Sequence, residues 1–350
     1  MRAQALISES ALHHNLRLLS ARAAAPLLLP VKANAYGHGL ETVARLAAPW
    51  PEVWGFGVAT PDEAHAVADL NLGKPVLLFG GSYPHEWPEL AARGVRLTVS
   101  TLEAARTLPP GAQAHLKVNT GMHRLGAAPA EAAQAGHALA QRGQLEGLYT
   151  HFLASEEEDP ARSVEQLRLF LQVAAKLPRA LLHCANSGSV LRHGALAGMD
   201  LARPGLASYG VMPAPLSSGT GLRPVMTLRA PITHIHTVPA GDTVSYGGLW
   251  QAPKDSVVAT VAAGYADGYP RGQTNPSVRV AGDLRPVLGR ICMDQLMVDV
   301  TGLTVQPGDW VTLWGEESEP PLSEVVTASG IMEYELLTGV ASRVIRLPIA

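Results

Sequence analysis

Apolar and polar positions along residues 25–208 fall into two textures. Short apolar runs, many of them β-branched, give way to Ala/Leu/Glu/Arg stretches with helical spacing. The runs cover 26–33, 53–59, 75–80, 95–100, 114–119, 145–152, 180–186 and 201–210. Buried strands read as continuous apolar runs, whereas surface helices carry apolar residues three and four apart. Several intervening stretches open on Thr, Ser or Asp followed by an acid in the first turn, and Thr60-Pro61-Asp62-Glu63 is the clearest such start. Strands alternating with helices predict parallel βαβ units. Eight runs in about 200 residues fit a (β/α)8 TIM-type barrel. A doubly wound parallel sheet is the alternative on repeat count.

Beyond residue 220 the pattern changes to strands separated by Gly, Pro and Asp turns: 225–238, 243–248, 256–265, 277–290, 297–302 and 309–315. Ala281-Gly282-Asp283 has the chemistry of a hairpin turn, and the last helical stretch covers 322–338. The expected architecture is α/β: a barrel over 9–221, followed by a mostly antiparallel β C-terminal domain over 222–350.

The 350 residues suit two domains, and 47% hydrophobic with 16% charged residues excludes a disordered chain. A net charge of −3 gives no reason to expect a nucleic-acid partner. Cys184 and Cys292 have no metal-ligand spacing and read as reduced thiols. The N-terminus lacks the apolar core of a secretory signal, and no apolar run approaches the roughly 18 residues of a membrane span. A cytoplasmic, non-membrane protein is expected. There are five lysines against 22 arginines, so a lysine inside a motif draws notice. Lysine can lose its proton and act as a nucleophile or base; arginine cannot.

The working residues of a parallel barrel gather at the C-terminal ends of its strands. Here those ends hold Lys32, then Lys117 with Asn119 and Arg124, His151, Asn186-Ser187 and Arg203-Pro204-Gly205. Any one could be a cap or an ion pair; five strand ends together point to an enzyme. A lysine at a buried strand end serves as a general base or forms a Schiff base. Ser187 and Gly205 sit in turns after runs seven and eight, where barrels commonly bind phosphate. The combination suggests pyridoxal 5'-phosphate.

Nine segments in one order resemble the alanine racemase family: 31–39 (VKANAYGHG), 119–126, 149–152, 186–187, 202–205, 244–247, 264–270, 289–294 and 333–335. The resemblance implies a pyridoxal-phosphate barrel with a β domain, a homodimer with shared sites, and an N-terminal segment (1–8) that pairs with the β domain. It implies that Lys32 is the Schiff-base lysine. It also implies that Tyr36, Asn186, Ser187, Gly205, Leu206 and Tyr334 hold the cofactor, with Arg124 near its phenolate. Lys117 matches a position often carbamylated in the family; an unmodified lysine bonded to carbonyls is the alternative. Arg203 resembles the arginine facing the pyridine nitrogen. Because arginine keeps its proton, the ring nitrogen stays unprotonated and the ring is a weaker electron sink. That suits a racemase, which must return a proton to the same carbon.

Racemisation needs proton exchange on two faces. The resemblance assigns one face to Lys32 and the other to Tyr246 of the partner subunit, with His151 and Arg203 tuning that tyrosine. Tyr265 and Met293, also from the partner, narrow the mouth and, with Arg124, bind the substrate. Without the resemblance, Tyr246 reads as a packing residue of a strand. The implied reaction is interconversion of L- and D-alanine for peptidoglycan. Alternatives are a racemase of serine or of broad specificity, an amino-acid decarboxylase of similar architecture, and a vitamin B6-binding barrel protein. A decarboxylase should carry a carboxylate where Arg203 stands, and a bare barrel protein should lack residues after 220. His234 and His236 alternate on one strand face, but no third ligand is spaced to join them, so no metal site is expected.

Overall fold

The computed structural model describes residues 2–212, 220–315 and 320–350. The chain divides into two compact units. One comprises Leu12–Ala35 and Gly39–Leu222; the other comprises Met1–Ala11, Tyr36–His38 and Arg223–Ala350.

After strand β1 (Gln4–Ser8) and the helix Glu9–Ala23 come seven strands of the first unit. They are β2 (Leu27–Pro30), β3 (Val53–Val58), β4 (Val76–Leu78), β5 (Val95–Val99), β6 (Ala114–Lys117), β7 (Leu145–Tyr149) and β8 (Leu181–His183). All seven run parallel, each hydrogen-bonded to the next in chain order. Strands β2 to β4 are wholly apolar, as strands covered by helices outside and filled with side chains inside should be, whereas β5 to β8 also carry Arg96, Thr98, His115, Lys117, Glu146 and His183. Leu28, Leu77 and Leu201 pack there with Trp54, Phe79 and Leu181.

The apolar run 201–210 does not form a regular strand. Its start bridges β8 and β2: Leu201 N–H reaches Leu182 O at 3.3 Å, Ala202 N–H reaches Pro26 O at 3.0 Å, and Leu28 N–H reaches Ala202 O at 2.9 Å. This short bridge takes the eighth place and closes the barrel. Pro204 has no N–H and cannot continue a ladder. The chain turns instead into a 3-10 helix, Leu206–Tyr209.

The helix starts follow their capping chemistry. Thr60 Oγ1 accepts from Glu63 N–H while the Glu63 carboxylate accepts from the Thr60 N–H, a complete capping box before Pro61–Asp69. Thr101 caps Leu102–Thr107, and Asn186 caps Ser187–His193.

The second unit is built on the long strand β9 (Met226–Val238). It continues with β10 (Thr243–Val244), β11 (Trp250–Gln251), β12 (Ser256–Val261), β13 (Ser277–Val280), β14 (Asp283–Pro286), β15 (Leu296–Asp299), β16 (Trp310–Trp314) and β17 (Ile345–Ile349). Pairing is antiparallel except where β1 meets β17; β1 lies between β9 and β17 in one sheet. Ala281 (φ 49°) and Gly282 (φ 89°) form the two-residue hairpin turn between β13 and β14. The expected single helix over 322–338 is two helices, Leu322–Ser329 and Glu333–Thr338. Gly330, at φ 71°, ends the first in the left-handed region. Among the described residues no helix is long and apolar enough to cross a membrane.

Candidate active site

The loop after β2 holds an uncommon backbone. Ala33, Asn34, Ala35 and Tyr36 all have φ between 52° and 54°, a left-handed turn starting beside Lys32. Such a conformation costs non-glycine residues about 1–2 kcal/mol each, so the surroundings must hold it. Glu63 is one such support. Its Oε1 accepts from Ala33 N–H at 2.6 Å, and its Oε2 accepts from Ala59 N–H at 2.8 Å. Asn34 supplies another: its Oδ1 accepts from Leu40 N–H at 2.8 Å and its carbonyl from Gly39 N–H at 2.9 Å. Gly37 (φ 83°) lies so close to Leu337 that a Cβ would stand 1.9 Å from its carbonyl oxygen.

Lys117 is the last residue of β6 and is buried. Arg124 sits on the turn that follows. Asn119 Oδ1 accepts from the Gly121 and His123 N–H groups, and Asn119 N–H with Ala127 O closes the base of the turn at 2.8 Å. His151 lies just past β7, and Arg203 just past the eighth-place bridge. Arg203 is buried, with Nη2 donating to Thr150 O at 2.6 Å and Nη1 to His183 Nδ1 at 2.8 Å. The Tyr149 ring takes both cations on its π system: Lys117 Nζ lies 5.5 Å and Arg203 Cζ 5.2 Å from its centroid.

The first unit thus brings Lys32, Lys117, Arg124, His151 and Arg203 into one electrostatic neighbourhood. Burial, and then Arg124, depress the Lys32 pKa, with Glu63 opposing. Burial, then Arg124, Arg203 and Lys32, bring Lys117 to about 8. Burial and the same cations hold His151 well below its ordinary value, so its ring is neutral. A concentration of positive charge beside an easily deprotonated lysine suits an anionic, carbonyl-bearing ligand. Ser187 opens the helix after β8 and is buried, as are Gly205 and Leu206; Ser187 Oγ accepts from Ala207 N–H at 3.1 Å. Asn186 Oδ1 accepts from Ser189 N–H at 3.0 Å and from Ser155 Oγ at 2.6 Å.

The other candidate residues lie in the second unit. The Tyr36 and Tyr334 rings stand 6.2 Å apart. Tyr246, Tyr265 and Met293 come from three loops that are knitted together. Tyr265 N–H donates to Cys292 O at 3.1 Å, Ala266 N–H to Met293 O at 3.0 Å, and Ser245 Oγ to Arg290 O at 2.6 Å. A Cβ on Gly264 would stand 2.3 Å from the carbonyl oxygens of Cys292 and Met293, so only glycine permits the approach. Arg343 clamps this cluster, bridging Asp267 (2.7 Å) and Asp294 (2.8 Å). The result is an open patch, with Tyr246 66%, Leu249 65%, Met293 53% and Tyr265 40% exposed.

Some residues that build the site escaped the sequence reading. Glu63 was visible only as a capping acid, and Asp267 only as part of a motif. Arg343, His115, His183 and Glu146 were not singled out at all. A signal existed for His115, since it stands two residues before Lys117 and shares its strand face. His234 and His236 stack at 5.1 Å on β9, and no group of three metal-ligating side chains occurs among the described residues.

A closed parallel barrel with cationic side chains at its strand ends, joined in one chain to a β unit, defines the class as a two-part barrel enzyme. The profile of "Alanine racemase, N-terminal domain" matches residues 7–213, and that of "Alanine racemase, C-terminal domain" matches 225–348. An alanine racemase of Deinococcus deserti is 59% identical over 99% of both chains, and one of Deinococcus radiodurans 56% identical over 99% of this chain and 98% of its own. Among solved structures, alanine racemase of Clostridium difficile superposes with a TM-score of 0.93 at 30% identity, covering 100% of this chain and 96% of that one. The biosynthetic alanine racemase of Pseudomonas aeruginosa gives 0.86 at 35%, covering 100% of both. The chain belongs to the alanine racemase family and is an enzyme of that family.

Proposed function

We propose that the protein interconverts L- and D-alanine by two-base proton exchange, with pyridoxal 5'-phosphate as cofactor and with sites shared across a homodimer. The observation that carries this reading is the gathering of Lys32, Lys117, Arg124 and Arg203 at one barrel mouth, with the Lys32 pKa lowered. That donor set fits a phosphorylated aldehyde: cations for its charges and a lysine able to shed its proton for its carbonyl. Bound there, the cofactor supplies an electron sink for the carbanion at the substrate α-carbon. Lys32 would hold it covalently. Tyr36, Asn186, Ser187, Gly205, Leu206 and Tyr334 would hold its phosphate end, Arg124 its phenolate and Arg203 its ring nitrogen.

Lys32 moves the α-proton on one face of the substrate, and Tyr246 of the partner moves it on the other. Neutral His151, backed by Arg203, would donate its N–H to the partner's Tyr246 hydroxyl oxygen and stabilise it as it loses its proton. Tyr265 and Met293 narrow the mouth and, with Arg124, receive the substrate carboxylate. The exposure of Tyr246, Leu249, Tyr265 and Met293 as one patch supports their use by a second copy. The depressed pKa of Lys117 supports its carbamylation, since a carbamate forms from the neutral amine. We read 9–221 as the cofactor-binding domain and 222–350, with 1–8, as the second. We place the enzyme in the cytoplasm as the supplier of D-alanine for peptidoglycan.

The test is a racemisation assay across small amino acids, combined with borohydride reduction of the yellow protein. Fastest turnover of alanine and a cofactor label on Lys32 are expected. A label on another residue overturns the site, and preference for serine or for a broad set favours the sibling specificity.

A further inference from the structure

Inside the barrel, a chain of side chains runs from Arg203 to the far strand ends. Arg203 Nη1 lies 2.8 Å from His183 Nδ1, and His183 Nε2 lies 2.7 Å from His115 Nδ1. His115 Nε2 lies 3.1 Å from Glu146 Oε2, and Glu146 is held in turn by Arg96 Nε at 3.0 Å. His115, His183 and Arg203 are buried.

Chemistry allows one direction only. Arginine donates and cannot accept, and an ionised carboxylate accepts and cannot donate. His183 Nδ1 must therefore be bare, so its proton sits on Nε2 and is donated to His115 Nδ1. His115 then carries its own proton on Nε2 and donates it to Glu146. An added proton on either ring would set donor against donor. The ionisations agree. Burial, opposed by the Glu146 hydrogen bond, leaves the His115 pKa lowered, and burial and then Arg203 lower that of His183. Burial raises the Glu146 pKa, but hydrogen bonds from His115 and Arg96 outweigh it and leave it at about 2.

The fold makes room for this chain. A Cβ on Gly147 would stand 2.3 Å from His115 Nδ1, so the imidazole occupies the space a side chain would fill. The Tyr149 ring stacks on His183 at 4.9 Å with planes 5° apart, which keeps the His183 ring from turning.

We propose that Glu146 is a positioning residue of the active site, aiming Arg203 through a one-way relay over His115 and His183. Glu146 is the acceptor that fixes both tautomers. A glutamine there could turn its amide and donate to His115, which would reverse both rings. His183 would then present an N–H to Arg203, and Nη1 of the guanidinium would lose its acceptor, leaving the side chain held through Nη2 alone. The proposal rests on the reading that Arg203 meets the cofactor ring nitrogen.

The test begins with nitrogen-15 NMR of histidine-labelled protein without cofactor. Both rings should be neutral Nε2–H tautomers that do not titrate between about pH 6 and 9. A Nδ1–H tautomer or a titration of either ring overturns the relay, and this needs no variant to fold. In Glu146→Gln, Nδ1–H signals should appear on both rings. In the loaded enzyme, kcat should fall about tenfold with KM within about twofold, the scale of a lost orienting carboxylate. The nitrogen-15 signal of labelled pyridoxal 5'-phosphate should move toward its protonated range. A properly folded variant with unchanged kcat and cofactor signal contradicts the proposal. If the wild-type protein takes up no cofactor, the functional reading fails, while the tautomers still decide the relay.

Discussion

The barrel unit and the β unit carry their chemistry in opposite ways. In the barrel, Arg203 and Lys117 are buried, surrounded by fixed partners and perturbed in their ionisation. In the β unit, Tyr246, Tyr265 and Met293 stand exposed on loops whose backbones are closely pinned. A group that works within its own chain can be desolvated and tuned by that chain. On the proposed sharing of sites across a homodimer, a group that works in a neighbour's site must be presented on the surface, and what its own chain fixes is the loop beneath it. The Arg343 clamp on Asp267 and Asp294 has that form.

Substitutions in the two units should have different consequences, beginning with the largest. Lys32→Ala should lower racemisation at least about 10³-fold while the protein stays folded, since in the proposed mechanism it removes a base and the covalent anchor. Circular dichroism and kcat together check this. Tyr246→Phe should slow turnover by about 10²-fold or more, unequally for the L and D substrates. Its melting temperature should fall by no more than a few degrees, because the hydroxyl is exposed on its own chain and at most one hydrogen bond to the partner is lost. A large loss of stability would mean that Tyr246 packs within its own chain.

Glu63→Gln sharpens the barrel side. The amide keeps one acceptor for the backbone N–H groups and loses the other, which should cost about 1–3 kcal/mol in denaturant unfolding. Cofactor affinity should fall with it as the left-handed turn beside Lys32 relaxes. The smallest effect is in pH. In protein kept free of carbon dioxide, where Lys117 is an unmodified amine, its folded pKa is about 8, below its ordinary 10.5. The unfolded chain binds more protons between those values, so stability should rise as pH climbs from about 8 to 10.5. Lys117→Met should flatten that rise.

Much of the barrel was legible because buried strands and capped helices leave local marks, as at Thr60-Pro61-Asp62-Glu63. The eighth place was not, since Arg203-Pro204 ends a ladder that the apolar run alone would extend. Lys32, Lys117 and Arg203 stood out because charges at strand ends contradict an apolar pattern. His115 and His183 did not, because a histidine in an apolar run reads as packing until its partners, 68 residues apart in the chain, are seen together. The left-handed turn over 33–36 has only one local sequence cause, Asn34, which tolerates that region and bonds Leu40 and Gly39 just beyond it. Ala-Asn-Ala-Tyr adopts it only because Glu63, Asn34 and the close approach at Gly37 hold it there.

In the proposed homodimer, one active site needs residues from two chains. Mixing Lys32→Ala protein with Tyr246→Phe protein, under conditions where subunit exchange is confirmed by mass, tests it directly. Mixed dimers should contain one site with both Lys32 and Tyr246 intact, and racemisation should reappear well above that of either parent. Exchange without recovered activity would place both bases in a single chain and contradict the account.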